Sequence, residues 1–202
     1  MSGMKLYYSR NSPFARIARL ALREGGLLAS VSEVAAANRR SDNPVLDHSP
    51  VGRVPTLVDG DLVVTEARYV YDYIAERSGF AALQTAARAT WRERAQEGQI
   101  LGFVEGIASW VREMRRAPAD RSAFLIAVEQ DRSTRCLTHL ETEATAGRLP
   151  DFPAFASLAL ASGLGLMDLH RFRPDWRRDH PALGAWFDPK AARSSMRETA
   201  PL

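Results

Sequence analysis

The chain has 202 residues, 46% hydrophobic and 25% charged, with 27 Lys and Arg against 24 Asp and Glu for a net charge of +3. That balance suits one large or two small globular domains and excludes a disordered or fibrous chain. Basic and acidic residues are interleaved, so there is no electrostatic footprint for nucleic acid.

Residues 5–8, Lys-Leu-Tyr-Tyr, form a short aromatic run expected as a strand. Ser12 stands where a helix N-cap is expected. Pro13 follows at the first helical position, where its missing N–H costs nothing. Phe14, Ile17, Ala18, Ala21 and Leu22 then recur at helical spacing, and Gly25-Gly26 ends the helix. Residues 30–35 are a second strand. Residues 38–50 are polar and irregular, with room for a short helix. Residues 54–58 read as a strand beginning at a proline, Asp59-Gly60-Asp61 as a hairpin turn, and residues 62–64 as the return strand. Thr65 is the expected cap of the next helix, which buries Val70, Tyr73 and Ile74 and ends at Gly79.

After Ala81 the pattern is helical throughout. Residues 86–116 form a long helix with Trp91, Ile100, Val104, Ile107 and Val111 as packing residues, broken by Pro118. Residues 121–145 form a second long helix that closes at Gly147. Residues 153–170 carry no charge before Asp168, and a helix apolar all round is expected to be buried on all sides. Residues 171–178 read as a basic loop. Pro181 opens a last short helix with Leu183, Trp186 and Phe187 packing inward.

The fold class that follows is an α/β unit joined to an all-α unit, with boundaries at residues 1–80 and 86–202. Two strands joined through a helix should run parallel, and the hairpin adds antiparallel strands. One cysteine, Cys136, excludes an internal disulfide or a zinc site of several thiolates. His48, His139, His170 and His180 lack ligand spacing, so no metal is expected. No run reaches the roughly 18 apolar residues of a membrane span, and the start lacks a secretory pattern. A reducing, cytoplasmic setting without membrane or nucleic-acid partners is the expectation.

Three stretches in this order resemble the glutathione transferase family: residues 6–16 (Leu-Tyr-Tyr-Ser-Arg-Asn-Ser-Pro-Phe-Ala-Arg), residues 43–57 with Ser49-Pro50-Val51-Gly52-Arg53-Val54-Pro55-Thr56-Leu57, and residues 65–74 beginning Thr65-Glu66-Ala67-Arg68. A weaker fourth runs from His180-Pro181 to Trp186, followed by Arg193 and Ser195. The resemblance implies a thioredoxin-like domain followed by a helical domain, with glutathione as co-substrate.

It also implies roles. A helix N-terminus stabilises an anion or thiolate, and a hydroxyl there can donate to glutathione's sulfur. Ser12 is the first candidate, with Ser9 and Asn11 on the same loop left open as alternatives; a plain N-cap role for Ser12 also stays open. Ser12 resembles the position that is cysteine in thiol-transferring members, so a mixed disulfide cannot form on it. Transferase, peroxidase or isomerase chemistry on glutathione's own sulfur stays open. Val54-Pro55 resembles the family's cis-proline corner, where the Val54 backbone pairs with the cysteinyl unit of glutathione. Arg53 lies toward the glycine carboxylate. Glu66 holds the amino group and the Ala67 N–H the γ-glutamyl carboxylate. Ala67 stands where the family has Ser or Thr, so one hydroxyl is lost, and Arg68 is placed to compensate. In the buried helix Ser157 is the candidate cap, with Leu160 where an Asp is usual. Phe14, Trp110 and Met114, with Arg112 and Arg115, are expected to line the site of a hydrophobic electrophile. Tyr7 or Tyr8 can also point there. A homodimer is implied, the sheet domain of one chain on the helices of the other. The alternative is a non-catalytic interaction module on this fold, resembling stringent starvation protein A bound to RNA polymerase.

Overall fold

The computed structural model describes residues 3–37 and 41–202; of the irregular stretch expected at residues 38–50, Asn38, Arg39 and Arg40 lie outside the described residues. Strand β1 (Met4–Tyr8) leads through Ser12 into helix α1 (Pro13–Glu24), and β2 (Val31–Ala35) follows. A short 3-10 turn, Pro44–Asp47, precedes β3 (Thr56–Asp59) and β4 (Leu62–Thr65), and α2 (Ala67–Ser78) closes the unit. The sheet order is β2-β1-β3-β4. β1 and β2 are parallel, as a helical crossover requires, while β1–β3 and β3–β4 are antiparallel. Leu6 and Leu57 face each other across the sheet and are fully buried with Ile17, Leu20, Val70 and Ile74. The other face carries a smaller cluster of Tyr7, Ala15, Ala36, Val45 and Val54.

The remainder is helical: α3 (Trp91–Met114), α4 (Ala123–Thr145), α5 (Phe155–His170), α6 (Trp176–Asp179), α7 (Pro181–Ala191) and α8 (Ser194–Glu198). α5 is the keel of the molecule. Residues 155–164 of it are all buried, and it packs against both α3 and α1. At Gly165 the tip of the Arg16 side chain from α1 fills the space beside the helix, and an added Cβ would meet Arg16 Nη1 at 2.5 Å. Arg16 is itself buried, its Nη2 donating to the Met196 carbonyl at 2.8 Å, and burial lowers its pKa to about 10.

Several local expectations are corrected. Thr65 ends β4 and does not cap α2; the N-cap is Glu66, with no side-chain cap bond. The buried tyrosine of α2 is Tyr71, whose hydroxyl donates to the Pro153 carbonyl, whereas Tyr73 is half-buried and donates to Asp59 at 2.6 Å. Trp91 is 81% exposed, because α3 starts there. The helix begins with a capping box, Glu93 N–H donating to Thr90 Oγ1 and the Glu93 carboxylate accepting from Thr90 N. Trp186 is half-buried, and the basic stretch after residue 171 contains α6. Ser157 is not the cap of α5: Ala154 holds that position and Ser157 lies three residues on, its hydroxyl donating back to the Ala154 carbonyl at 2.7 Å. Ser157 therefore occupies the place expected for the acid, and both halves of the reciprocal cap are changed. The turn at Arg193 to Ser195 is tied to α1 instead, both side chains binding Glu24.

Candidate functional site

The sheet brings three chain segments to one end. β1 runs out at Tyr8. β3 begins at Thr56, and its antiparallel register pairs Thr56 with Thr65 at the end of β4. Continuing that register sets Pro55 beside Glu66, and the loop after β1 opens on the same edge because Tyr7 also pairs with Thr56.

On that edge Ser9 to Ser12 form a tight turn, the Ser12 N–H donating to the Ser9 carbonyl at 3.0 Å. Ser12 Oγ accepts the Ala15 N–H at 3.2 Å and so caps α1. Among the described residues nothing accepts its own proton, which can rotate toward a ligand. Asn11 is engaged on both sides of its amide, Nδ2 donating to the Leu202 carbonyl at 2.7 Å and Oδ1 accepting the Leu202 N–H at 2.9 Å. The loop before β3 is pinned from within. Buried Asn43 donates to the Gly52 carbonyl at 2.9 Å and accepts from Val45 N. Gly52 has φ of 60°, a conformation a side chain resists. The loop delivers Arg53 and Val54 to the edge, and the Val54–Pro55 peptide is cis. The Arg53 carbonyl accepts from Thr56 Oγ1 at 2.7 Å. Val54 has no backbone hydrogen-bond partner among the described residues.

These residues meet the helical half across a cleft of about 400 Å3, toward the small end of ligand pockets at about 300–1,000 Å3. Ser9, Asn11, Ser12, Phe14, Arg53 and Val54 line one side; Glu105, Ala108, Val111, Arg112 and Arg115 of α3, with Leu166 of α5, line the other. The cleft thus collects six of the residues expected from sequence, with Arg112 and Arg115 besides. It excludes Trp110 and Met114. Both lie two residues along α3 from cleft-facing positions, Ala108 and Arg112, and two residues is a rotation of about 200° on a helix. Trp110 is buried and stacks on Phe172 with ring centroids 4.0 Å apart, and Met114 packs on the core. Tyr7 and Tyr8 are excluded too: the Tyr7 hydroxyl meets His48 Nε2 at 2.8 Å, and Arg19 lies over the Tyr8 ring. Glu105, Ala108, Val111 and Leu166 were missed as wall residues. The first two recur with Arg112 and Arg115 at intervals of three and four, a signal of one helix face.

Pro55, Glu66 and Ala67 do not line this cleft; they adjoin it along the sheet edge. Glu66 is exposed, makes no cap bond, and has φ of 68° and ψ of 131°, a conformation that costs a non-glycine residue about 1–3 kcal/mol. Such a cost persists only where the surroundings enforce it. Replacing Glu66 by Gly is expected to leave thermal stability unchanged or raise it by about 1 kcal/mol, the relieved strain exceeding the entropy cost of glycine. A loss above about 1 kcal/mol on chemical denaturation would refute that account of the backbone. Arg68 is not free to stand in for the missing hydroxyl at residue 67, because its guanidinium pairs with Asp72 and Glu97, both at 2.9 Å, and lies over Phe155. A larger hollow of about 850 Å3, between the first half of α3 and the segment before α5, holds none of the expected catalytic residues.

The cleft and its edge define a protein of the glutathione transferase fold. A family model, glutathione S-transferase N-terminal domain, matches residues 6–82. Over those residues the chain is similar to the glutathione S-transferase family. It is 28% identical over 202 residues, 98% of each chain, to the uncharacterized GST-like protein YibF of Escherichia coli K12. Among solved structures it is similar to a glutathione transferase family member from Pseudomonas fluorescens Pf-5 with bound glutathione, at a TM-score of 0.86 and 27% identity, covering 98% of this chain and 99% of that one. A second structure of a family member from that organism, with bound S-(propanoic acid)-glutathione, gives a TM-score of 0.83 at 28% identity over 98% and 100%. A glutathione S-transferase from Methylobacillus flagellatus KT with glutathione bound gives 0.86 at 25% identity, again over 98% and 100%. No helix among the described residues is long and apolar enough to cross a membrane.

Proposed function

We propose that this chain binds glutathione along the sheet edge and adds the glutathione thiolate to a small electrophile in the cleft. Residues 1–80 supply the glutathione half and residues 86–202 the acceptor half. The observation that carries the reading is the meeting of two unspent groups in one cleft: the free proton of Ser12 at the tip of α1 and the unpaired backbone of Val54. The relatives with bound glutathione and with bound S-(propanoic acid)-glutathione support it.

In this reading the Val54 backbone takes the cysteinyl unit as a short added strand. Arg53 takes the glycine carboxylate, Glu66 the amino group, and the Ala67 N–H with the α2 dipole the γ-glutamyl carboxylate. Ser12 donates to the sulfur, with Ser9 as the alternative; Asn11 is the weakest candidate because Leu202 already occupies its amide. The acceleration comes from a lowered thiol pKa and from holding the two reactants together. The hydroxyl absent at Ala67 removes a hydrogen bond to a charged group, worth about 1.5–3 kcal/mol, so affinity for glutathione sits about tenfold or more below that of a member with Ser there.

The test is thermal denaturation with glutathione. At about 10 mM ligand and a Kd near 1 mM, mass action stabilises the native state by about 1.4 kcal/mol, a rise of roughly 3–5 °C for a chain of this size. An unmoved transition would reject glutathione as ligand and favour the interaction-module reading. A homodimer is part of the same proposal. The exposed rings of Tyr69, 65% accessible, and Trp91 give the molecule uncovered aromatic surface of the kind dimers bury. A monomeric mass by light scattering would remove that part.

A further inference from the structure

The helical wall of the cleft has an uneven charge. Phe14, Ala108, Val111 and Leu166 make an apolar floor. Above it Arg112 is neutralised within its own helix, Nη2 donating to Glu105 Oε1 at 2.8 Å and to Ser109 Oγ at 2.6 Å. Arg115, three residues on at the C-cap of α3, is exposed and has no side-chain hydrogen bond or ion pair among the described residues. The acids and bases around it are committed elsewhere. Glu113 accepts the Ser122 N–H and faces Arg116, and Arg121 donates to the Met114 and Arg116 carbonyls. The field of an uncompensated cation is felt next door: burial and Arg115 together hold the His170 imidazole below its ordinary pKa.

The glutathione reading, on which this inference rests, assigns Arg53 and Glu66 to the tripeptide and leaves Arg115 without a partner. A wholly apolar acceptor would use the floor and ignore that cation. An acceptor with an apolar body and a planar anionic end would use both, and a guanidinium is weakly hydrated and matches a carboxylate with two parallel donors. We infer that the second substrate is a small carboxylate-bearing electrophile whose carboxylate pairs with Arg115 while its reactive carbon lies over the floor toward Ser12.

For an α,β-unsaturated carboxylate the step balances without any further reactant. The thiol proton passes to solvent, and the sulfur forms a bond to the β-carbon. The π pair moves to the α-carbon and carboxylate as an ene-diolate, and the α-carbon then takes up one proton. Negative charge on the carboxylate end grows during addition, so its pairing with Arg115 is stronger in the transition state than in the free acceptor.

The test compares two stable adducts of equal length, S-(2-carboxyethyl)glutathione and S-propylglutathione, by titration calorimetry on the wild-type chain and on Arg115→Gln. The wild type should bind the carboxyl adduct about tenfold more tightly, with a preference that shrinks as salt rises. Arg115→Gln should erase the preference and leave the affinity for S-propylglutathione unchanged. Equal affinities in the wild type, or a preference that survives Arg115→Gln, would overturn the inference while leaving the glutathione site standing. Binding of neither adduct nor glutathione would overturn the underlying reading and this one with it.

Discussion

Ser12→Ala is expected to lower kcat/KM for glutathione conjugation about 100-fold at pH 7, the scale on which removing one preorganised donor to a developing anion acts. The hydroxyl does two things. It accepts the Ala15 N–H, an N-cap contribution of about 1 kcal/mol to stability, and in the proposed reading it donates its own proton to the glutathione sulfur in the cleft that Ser12 lines. Only the second touches the sulfur. A free thiol titrates near pH 8.5, and donors that favour the thiolate lower that value. The sign follows: in the wild type kcat/KM rises with pH and levels off once the lowered pKa is passed, whereas in Ser12→Ala the rise moves up toward about pH 8.5. The deficit is therefore greatest near neutrality and narrows at higher pH. Ser12→Gly separates the two jobs, since glycine at an N-cap costs only a few tenths of a kcal/mol against serine. It should retain stability and show the same displaced profile. Ser9→Ala is the companion measurement: a displaced profile there, with Ser12→Ala unmoved, would transfer the role to Ser9.

The elements of the sheet half were largely legible because their signals are local. Ser12-Pro13 at a helix start, Gly60 in the hairpin and Gly79 at a helix end each fix the backbone within a residue or two. The fully apolar run of α5 declared its burial for a similar reason, since a helix with no polar face has nowhere else to go. What escaped the sequence was decided by contacts between distant residues. Glu66, and not Thr65, opens α2 because β4 pairs through Thr65 with Thr56, and nothing in residues 62–67 alone reveals that ladder. Tyr71 is buried in place of Tyr73 because Pro153 and Phe155 from the other half receive it. Arg68 reads as a spare cation until Glu97, 29 residues away, is seen to claim it. The same holds in the site: Asn11 is a candidate donor from sequence and is committed in the structure by Leu202 at the far end of the chain. The cleft's amino-terminal wall is a motif and was readable. Its helical wall is one face of α3, and which face it is depends on where α5 packs.

That dependence makes Trp110→Ala the sharpest test of the helical wall. A tryptophan among basic residues near a proposed substrate site reads as a substrate platform. The structure turns it about 200° away from Ala108, onto Phe172 in a nearly parallel stack with an interplanar angle of 14°. Truncating a buried tryptophan of this kind removes about 3–5 kcal/mol of stability, lowering the midpoint of thermal unfolding by roughly 8–15 °C. Because the ring meets the core and not the cleft, kcat/KM per folded molecule, measured well below the lowered midpoint, should stay within about threefold of wild type. Phe14→Ala gives the opposite split: its ring lies on the cleft floor and is only half-buried, so activity toward the acceptor should fall more than stability. The two variants together separate a residue that holds α3 in place from one that touches the acceptor. Were Trp110→Ala to lose activity with its unfolding midpoint intact, α3 would have to present its other face to the substrate. The cleft built from Glu105, Ala108, Arg112 and Arg115 could then not be the acceptor site.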